Sequence, residues 1–152
     1  MALKSLEIDE LIVIPNYLNP FKKSVVASPE LRYNWLKRVT KSYNQVTISN
    51  FEINRGKPTP SIVTVEHFAK SYDKIYFIIG SDNLESLHLW KDFEKLNGMV
   101  EWVVATRKSY DCKGYKSIDV AVDISATSLR KHLDENYIPK EILQEVKEIY
   151  EH

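Results

Sequence analysis

The chain has 152 residues, 43% of them hydrophobic and 28% charged, with 21 basic side chains against 21 acidic ones. That composition suits one soluble globular domain, residues 1–152, with a real core, and excludes a disordered chain. Balanced charge gives no global field to recruit nucleic acid or an anionic membrane, no apolar run approaches the roughly 20 residues of a membrane span, and the one cysteine, Cys112, excludes an internal disulfide and a cysteine-built zinc site.

Taken in order, residues 2–6 read as the last turns of a helix. Glu10-Leu-Ile-Val-Ile14 is a nearly continuous apolar run, the pattern of a strand buried on both faces of a parallel sheet. The loop Pro15–Lys23 follows at the strand's C-terminal end, where ligands bind in open α/β sheets, so Lys22 or Lys23 could meet a phosphate; a solvated loop lysine explains them equally well. Ser28-Pro29 is a helix N-cap with proline at the first helical position. The helix is predicted to reach about Tyr43 with Leu31, Trp35, Leu36 and Val39 as its buried stripe.

A second strand is predicted from Gln45 to Ser49, extended by Phe51 and Ile53. The turn-rich loop Arg55–Ser61 leads into a helix over 62–71. Lys74–Ile79 is the most apolar strand, ending in Gly80-Ser81-Asp82. Glycine there allows close approach by a ligand, and Asp82 can accept from ribose hydroxyls; a tight turn explains the same residues. Trp90 to Leu96 reads as a helix closed by Asn97-Gly98, with Trp90 either core or a plate for a flat ring. Trp102–Ala105 is the fourth strand, with Arg107 at its tip, and 109–117 is a polar loop.

Val120–Val122 is the fifth strand, and Asp123-Ile-Ser-Ala-Thr-Ser-Leu-Arg130 turns from it into a helix. Ser125 and Thr127 are N-cap residue types at a helix terminus that favours anions, and Arg130 lies one turn on, placed to clamp the same phosphate. An ordinary capped helix with an exposed arginine fits these residues too. A last helix runs from about Pro139 to Tyr150. Strands alternating with helices at this spacing predict a doubly wound, mainly parallel α/β domain, and three candidate loops share one end of its sheet. His67, His88, His132 and His152 show no metal-ligand spacing.

Ile14-Pro15 with Pro20-Phe21-Lys22, Gly56-Lys-Pro-Thr-Pro-Ser61 with Thr64, and Phe77-Ile-Ile-Gly-Ser-Asp82 come in a telling order. With Leu89-Trp90, Arg107, Ile124-Ser-Ala-Thr127, Arg130 and Ile138-Pro139, they make the chain resemble bacterial nicotinate-nucleotide adenylyltransferase over nearly its whole length. The resemblance implies a Rossmann-like nucleotidyltransferase sheet and adenylyl transfer from ATP to nicotinate mononucleotide, giving deamido-NAD and pyrophosphate with Mg²⁺. It implies that Ser125, Thr127 and Arg130 handle the triphosphate, that Gly80 and Asp82 meet the nucleotide sugar, and that Trp90 stacks near the pyridine ring. Thr59, Ser61 and Thr64 would line the nicotinate side, and Lys22 and Arg107 would address phosphates. Small-molecule substrates, a cytoplasmic setting and no nucleic-acid or membrane partner follow from the same reading, with a homo-oligomer left open.

The chain departs from the family pattern in three places. It has Thr59-Pro60-Ser61 where Ser-Tyr-Thr is usual, and Phe21 where histidine is usual. The family also opens with a strand, a Gly-Ser-Phe-Asp-Pro loop and a His-x-Gly-His motif that binds the ATP phosphates, and this sequence contains none of them. The expectation is a missing central strand, roughly 20 residues of absent sequence, and impaired activity. Two other readings stand beside the enzyme: a non-catalytic pyridine-nucleotide-binding protein, and a sister nucleotidyltransferase of the pantetheine-phosphate type.

Overall fold

The computed structural model describes residues 8–17, 27–106, 114–119 and 138–150. Its elements are β1 (Leu11–Val13), α1 (Pro29–Val39), β2 (Val46–Ile48), α2 (Phe51–Arg55), α3 (Ser61–Phe68), β3 (Tyr76–Gly80), α4 (Phe93–Met99), β4 (Glu101–Thr106), β5 (Lys116–Asp119) and α5 (Leu143–Tyr150), with short 3₁₀ turns at Ser81–Asn83 and Leu87–Leu89. Among the described residues every strand pairing is parallel and helices lie between β1 and β2, β2 and β3, and β3 and β4, which is the expected α/β class. Among the described residues the strands form two sheets, β1–β2 and β3–β4–β5. The chain accordingly divides into two compact units, one within Pro60–Asp123 and one within Glu7–Thr59 and Ile124–His152.

In the Pro60–Asp123 unit, β3 and β4 run in register from Tyr76↔Glu101 to Gly80↔Ala105, and β4 continues to Thr106↔Asp119 of β5. Leu96 and Val104 are wholly buried, and Ile62, Val65, Ile79, Leu84, Leu87 and Trp102 close around them; Val103 is wholly buried outside this cluster. Burying each large aliphatic side chain contributes about 1.5–3 kcal/mol, so this core is what fixes β3 and β4 beneath their C-terminal tips. At the other end of the strands, Lys74 reaches Glu101 at 3.2 Å. The Tyr76 hydroxyl first, then Glu101, raise the Lys74 ammonium above its usual range.

Among the described residues the second unit has the smaller apolar cluster. Ser28 caps α1, its hydroxyl accepting from the Leu31 N–H at 3.1 Å, and Pro29 follows as the first helical residue. Trp35 is the one buried residue of the helix and packs with Ala27, Ile138 and Val146. Its indole N–H donates to Glu145 Oε2 at 2.9 Å, and Arg38 pairs with Glu145 Oε1 at 2.7 Å. Arg32 ties α1 to the loop after β1, donating to the Asn16 side chain at 3.0 Å and to the Asn16 carbonyl at 2.7 Å.

Several boundaries differ from the pattern reading. Phe51 and Ile53 do not extend β2; they lie in α2, which Gly56 closes in the left-handed conformation (φ 65°) with its N–H on the Ile53 carbonyl. A five-residue helix with two buried side chains, Glu52 and Ile53, produces the same alternation of apolar residues as a strand. Lys116 and Ser117, assigned by their polarity to the loop 109–117, instead begin the strand Lys116–Asp119; both are exposed while Ile118 is buried, so their polarity reflects solvent contact within a strand. Asn97 and Gly98 do not close a helix: α4 runs through both to Met99, and Trp90–Asp92 is a turn before it. Helix α1 stops at Val39, α3 at Phe68, and α5 starts at Leu143. The stub at 2–6, the strand at 120–122 and the motif at 123–130 lie outside the described residues.

Candidate functional site

The best-defined part of the candidate site is the tip of β3. Gly80 is extended (φ −72°, ψ 151°), a conformation any residue adopts, so its glycine identity answers to space and not to backbone freedom. A Cβ there would lie 2.5 Å from Asp82 Oδ1 and 3.6 Å from Asn83 Nδ2. The Asp82 carboxylate therefore folds back over the strand end while remaining exposed to solvent. Asn83 donates from Nδ2 to the Gly80 carbonyl at 3.3 Å, and the Leu84 N–H closes the turn on the Ser81 carbonyl at 3.3 Å. Leu84 is buried in the core, which anchors the turn.

Parallel register places the end of β4 beside this tip: Gly80 pairs with Ala105, and the next residue of β4, Thr106, is buried. In an open parallel sheet the crevice outside such adjacent carboxyl ends is where ligands bind. Arg107, expected at the tip of β4, lies outside the described residues, as do Lys22, Ser125, Thr127 and Arg130.

Trp90 sits at the rim of the core, partly buried. Its ring meets Phe77 edge-on at 5.9 Å and Trp102 edge-on at 6.0 Å, while Trp102 is 5.2 Å from Phe77 and stacked on Phe93 at 6.2 Å. Asn97 accepts from the Trp102 indole N–H at 2.9 Å and fixes the centre of that cluster. Trp90 opens a turn whose Phe93 N–H returns to its carbonyl at 3.1 Å, and Asp92 within it is left-handed (φ 52°). That conformation costs an L-residue roughly 1–2 kcal/mol, least for Asp and Asn, so the turn is retained against a local preference. Leu89, just before Trp90, is 68% exposed.

Of the threonines and serines expected to line a ring site, Thr64 is buried on α3 and Ser61 is the half-buried first residue of that helix. Thr59 is buried in the other unit, its hydroxyl donating to the Lys57 carbonyl at 3.2 Å. His67 and His88 are exposed. Among the described residues no three His, Cys, Asp or Glu side chains form a metal-ligand group, and no helix is long and apolar enough to cross a membrane. Asn83 is the residue that the sequence pattern passes over. Its only signal is an amide three residues after a strand-terminal glycine, the spacing at which an Asx side chain reaches back to a carbonyl.

Residues 1–132 match the cytidylyltransferase-like family. A relative from a Nitratiruptor species is 47% identical over 152 residues, covering 98% of this chain and 86% of the relative. One from Aliarcobacter butzleri is 44% identical over 150 residues, covering 95% and 82%. One from Campylobacter jejuni subsp. jejuni is 43% identical over 153 residues, covering 99% and 84%. All three carry the name "Probable nicotinate-nucleotide adenylyltransferase". With parallel strands whose tips meet at Gly80–Asp82 and Thr106, and relatives this similar over nearly the whole chain, the protein belongs to the cytidylyltransferase-like nucleotidyltransferases and, among them, to the nicotinate-nucleotide adenylyltransferase family of enzymes.

Proposed function

We propose that this chain transfers the adenylyl group of ATP to nicotinate mononucleotide in NAD biosynthesis. A phosphate oxygen of the mononucleotide forms a bond to the α-phosphorus of ATP, the bond from that phosphorus to the bridging oxygen breaks, and pyrophosphate leaves with deamido-NAD as product. The observation that carries this reading is identity of 44–47% over nearly the whole chain to relatives that bear the enzyme's name, together with the order of motifs in this sequence.

The transfer needs positioning and charge stabilisation more than covalent help from the protein. Asp82 accepts from the hydroxyls of the ATP ribose, and Gly80, which leaves room for that carboxylate, meets the sugar beside it. Ser125 and Thr127 with Arg130 hold the triphosphate; Lys22 and Arg107 neutralise phosphate charge. Trp90 offers a ring face to the pyridine, with Leu89 as apolar surface beside it, and Thr59, Ser61 and Thr64 serve the nicotinate side. Mg²⁺ enters bound to ATP as part of the substrate, shielding the charge of the phosphates. The setting assigned is the cytoplasm, and the partners are these small molecules.

The test is pyrophosphate release from ATP plus nicotinate mononucleotide with Mg²⁺, with phosphopantetheine as the alternative acceptor. Turnover with the mononucleotide alone is expected, at the reduced rate that a sequence without the His-x-Gly-His motif implies. Turnover with phosphopantetheine, or a melting shift with nicotinate mononucleotide and no turnover, overturns the assignment in favour of the sister enzyme or of a binding protein. Replacing Trp90 by Ala is expected to raise KM for the mononucleotide about tenfold, the effect of one stacked aromatic contact, with KM for ATP little changed.

A further inference from the structure

The turn after β3 contains a contact that the sugar-binding assignment of Gly80 and Asp82 leaves unused. Asn83 is half-buried and spends an Nδ2 hydrogen on the Gly80 carbonyl at 3.3 Å. Its own carbonyl accepts from the Ser86 N–H at 3.3 Å and from Ser86 Oγ at 3.4 Å, and Leu84 beside it is 6% exposed in the core. The turn is thus pinned on its far side by Leu84 and Ser86, and on its near side by the Asn83 amide on the last carbonyl of the strand. Asp82 lies between these pins, exposed, with Oδ1 in the volume that a side chain at residue 80 would occupy.

We propose that Asn83 is a positioning residue for nucleotide binding: its side-chain amide clasps the end of β3 and thereby holds the Asp82 carboxylate where a ribose can meet it. The proposal rests on the reading of Asp82 as the sugar contact. A carboxylate on an unpinned turn must be ordered at the moment of binding, and the lost conformational freedom opposes affinity. A pinned turn has that freedom removed beforehand. Asn83→Asp is nearly the same shape, yet it sets an acceptor against the Gly80 carbonyl and a second negative charge beside Asp82. Asn83→Ser keeps a donor that can reach the carbonyl three residues back.

The experiment is steady-state pyrophosphate release with ATP varied at saturating nicotinate mononucleotide, on the full chain carrying Asn83→Ala, Asn83→Asp, Asn83→Ser, Asp82→Ala, or Asp82→Ala with Asn83→Ala. The ATP-induced melting shift reads the same comparison without turnover. For Asn83→Ala, KM for ATP is expected to rise about tenfold, the equivalent of one lost hydrogen-bond contribution, with kcat and KM for the mononucleotide nearly unchanged. Asn83→Asp is expected to be worse and Asn83→Ser to recover part of the loss. The double variant should be no weaker than Asp82→Ala alone. If Asp82→Ala weakens ATP while Asn83→Ala and Asn83→Asp do not, or if the two losses multiply, the positioning role is wrong and the sugar assignment stands. If Asp82→Ala is silent, the sugar assignment itself fails and the role of Asn83 with it. A fall in kcat and in both affinities together with the melting midpoint marks Asn83 as merely structural and also overturns the proposal.

Discussion

The two compact units are held together by different means. The unit of β3, β4 and β5 has a continuous apolar core in which Leu96 and Val104 expose nothing. Among the described residues, the unit of α1, α5 and the β1–β2 pair gathers Ala27, Trp35, Ile138 and Val146 as the buried residues of its apolar cluster, and it adds a polar clasp of Trp35 and Arg38 on Glu145. Area removed from water contributes without direction, whereas the clasp fixes where one helix meets another and depends on charge. The first unit should therefore respond to lost volume, and the second to acid and salt as well.

The largest expected effect lies in the first unit. Leu96→Ala removes a wholly buried side chain and should cost about 3 kcal/mol, read from denaturant unfolding. An effect below about 1 kcal/mol would mean the site collapses around the gap. In the second unit, Trp35→Phe takes away ring volume and the indole donor, with an expected cost on the order of 1–2 kcal/mol, smaller than that of Leu96→Ala.

Acidification separates the units more sharply. Arg38 first, then the Trp35 indole, hold the Glu145 carboxyl below its ordinary value of 4.5. A lowered folded value means that the contribution is complete above 4.5 and is lost as the pH falls through that lower value. Amide protection in α5 should decline over that step while protection in β4 persists. Glu145→Gln should abolish the step, and an unchanged acid response in that variant would sink the attribution to this carboxylate. The smallest effect is expected at Lys95, whose pair with Glu66 at 2.7 Å is exposed. Lys95→Met should leave the unfolding midpoint within error, because exposed pairs contribute little.

The sequence determined the alternation of strands and helices, since Leu11–Val13, Tyr76–Gly80 and Trp102–Val104 are short apolar runs rich in β-branched and aromatic residues. It also determined the cap at Ser28-Pro29, the core role of Trp35, and the family, because motif order is a property of the chain itself. Tertiary structure alone decided the places where local pattern is ambiguous. Phe51-Glu-Ile53 alternates like a strand, yet burial of Glu52 and Ile53 on one helical turn prevails. Lys116–Asp119 carries one buried apolar residue and becomes a strand only because β4 offers it hydrogen bonds in register. Asn97-Gly98 looks like a helix stop, but Asn97 is engaged by the Trp102 indole on the next strand, a partner that spacing does not reveal. The same holds at the strand tip. Sequence marked Gly80 and Asp82, while the fold showed that the aspartate fills the space of the missing side chain and that Asn83 ties the turn down. Hydrogen bonds and close approaches depend on three-dimensional distance, which a one-dimensional pattern records only when the partners happen to be periodic.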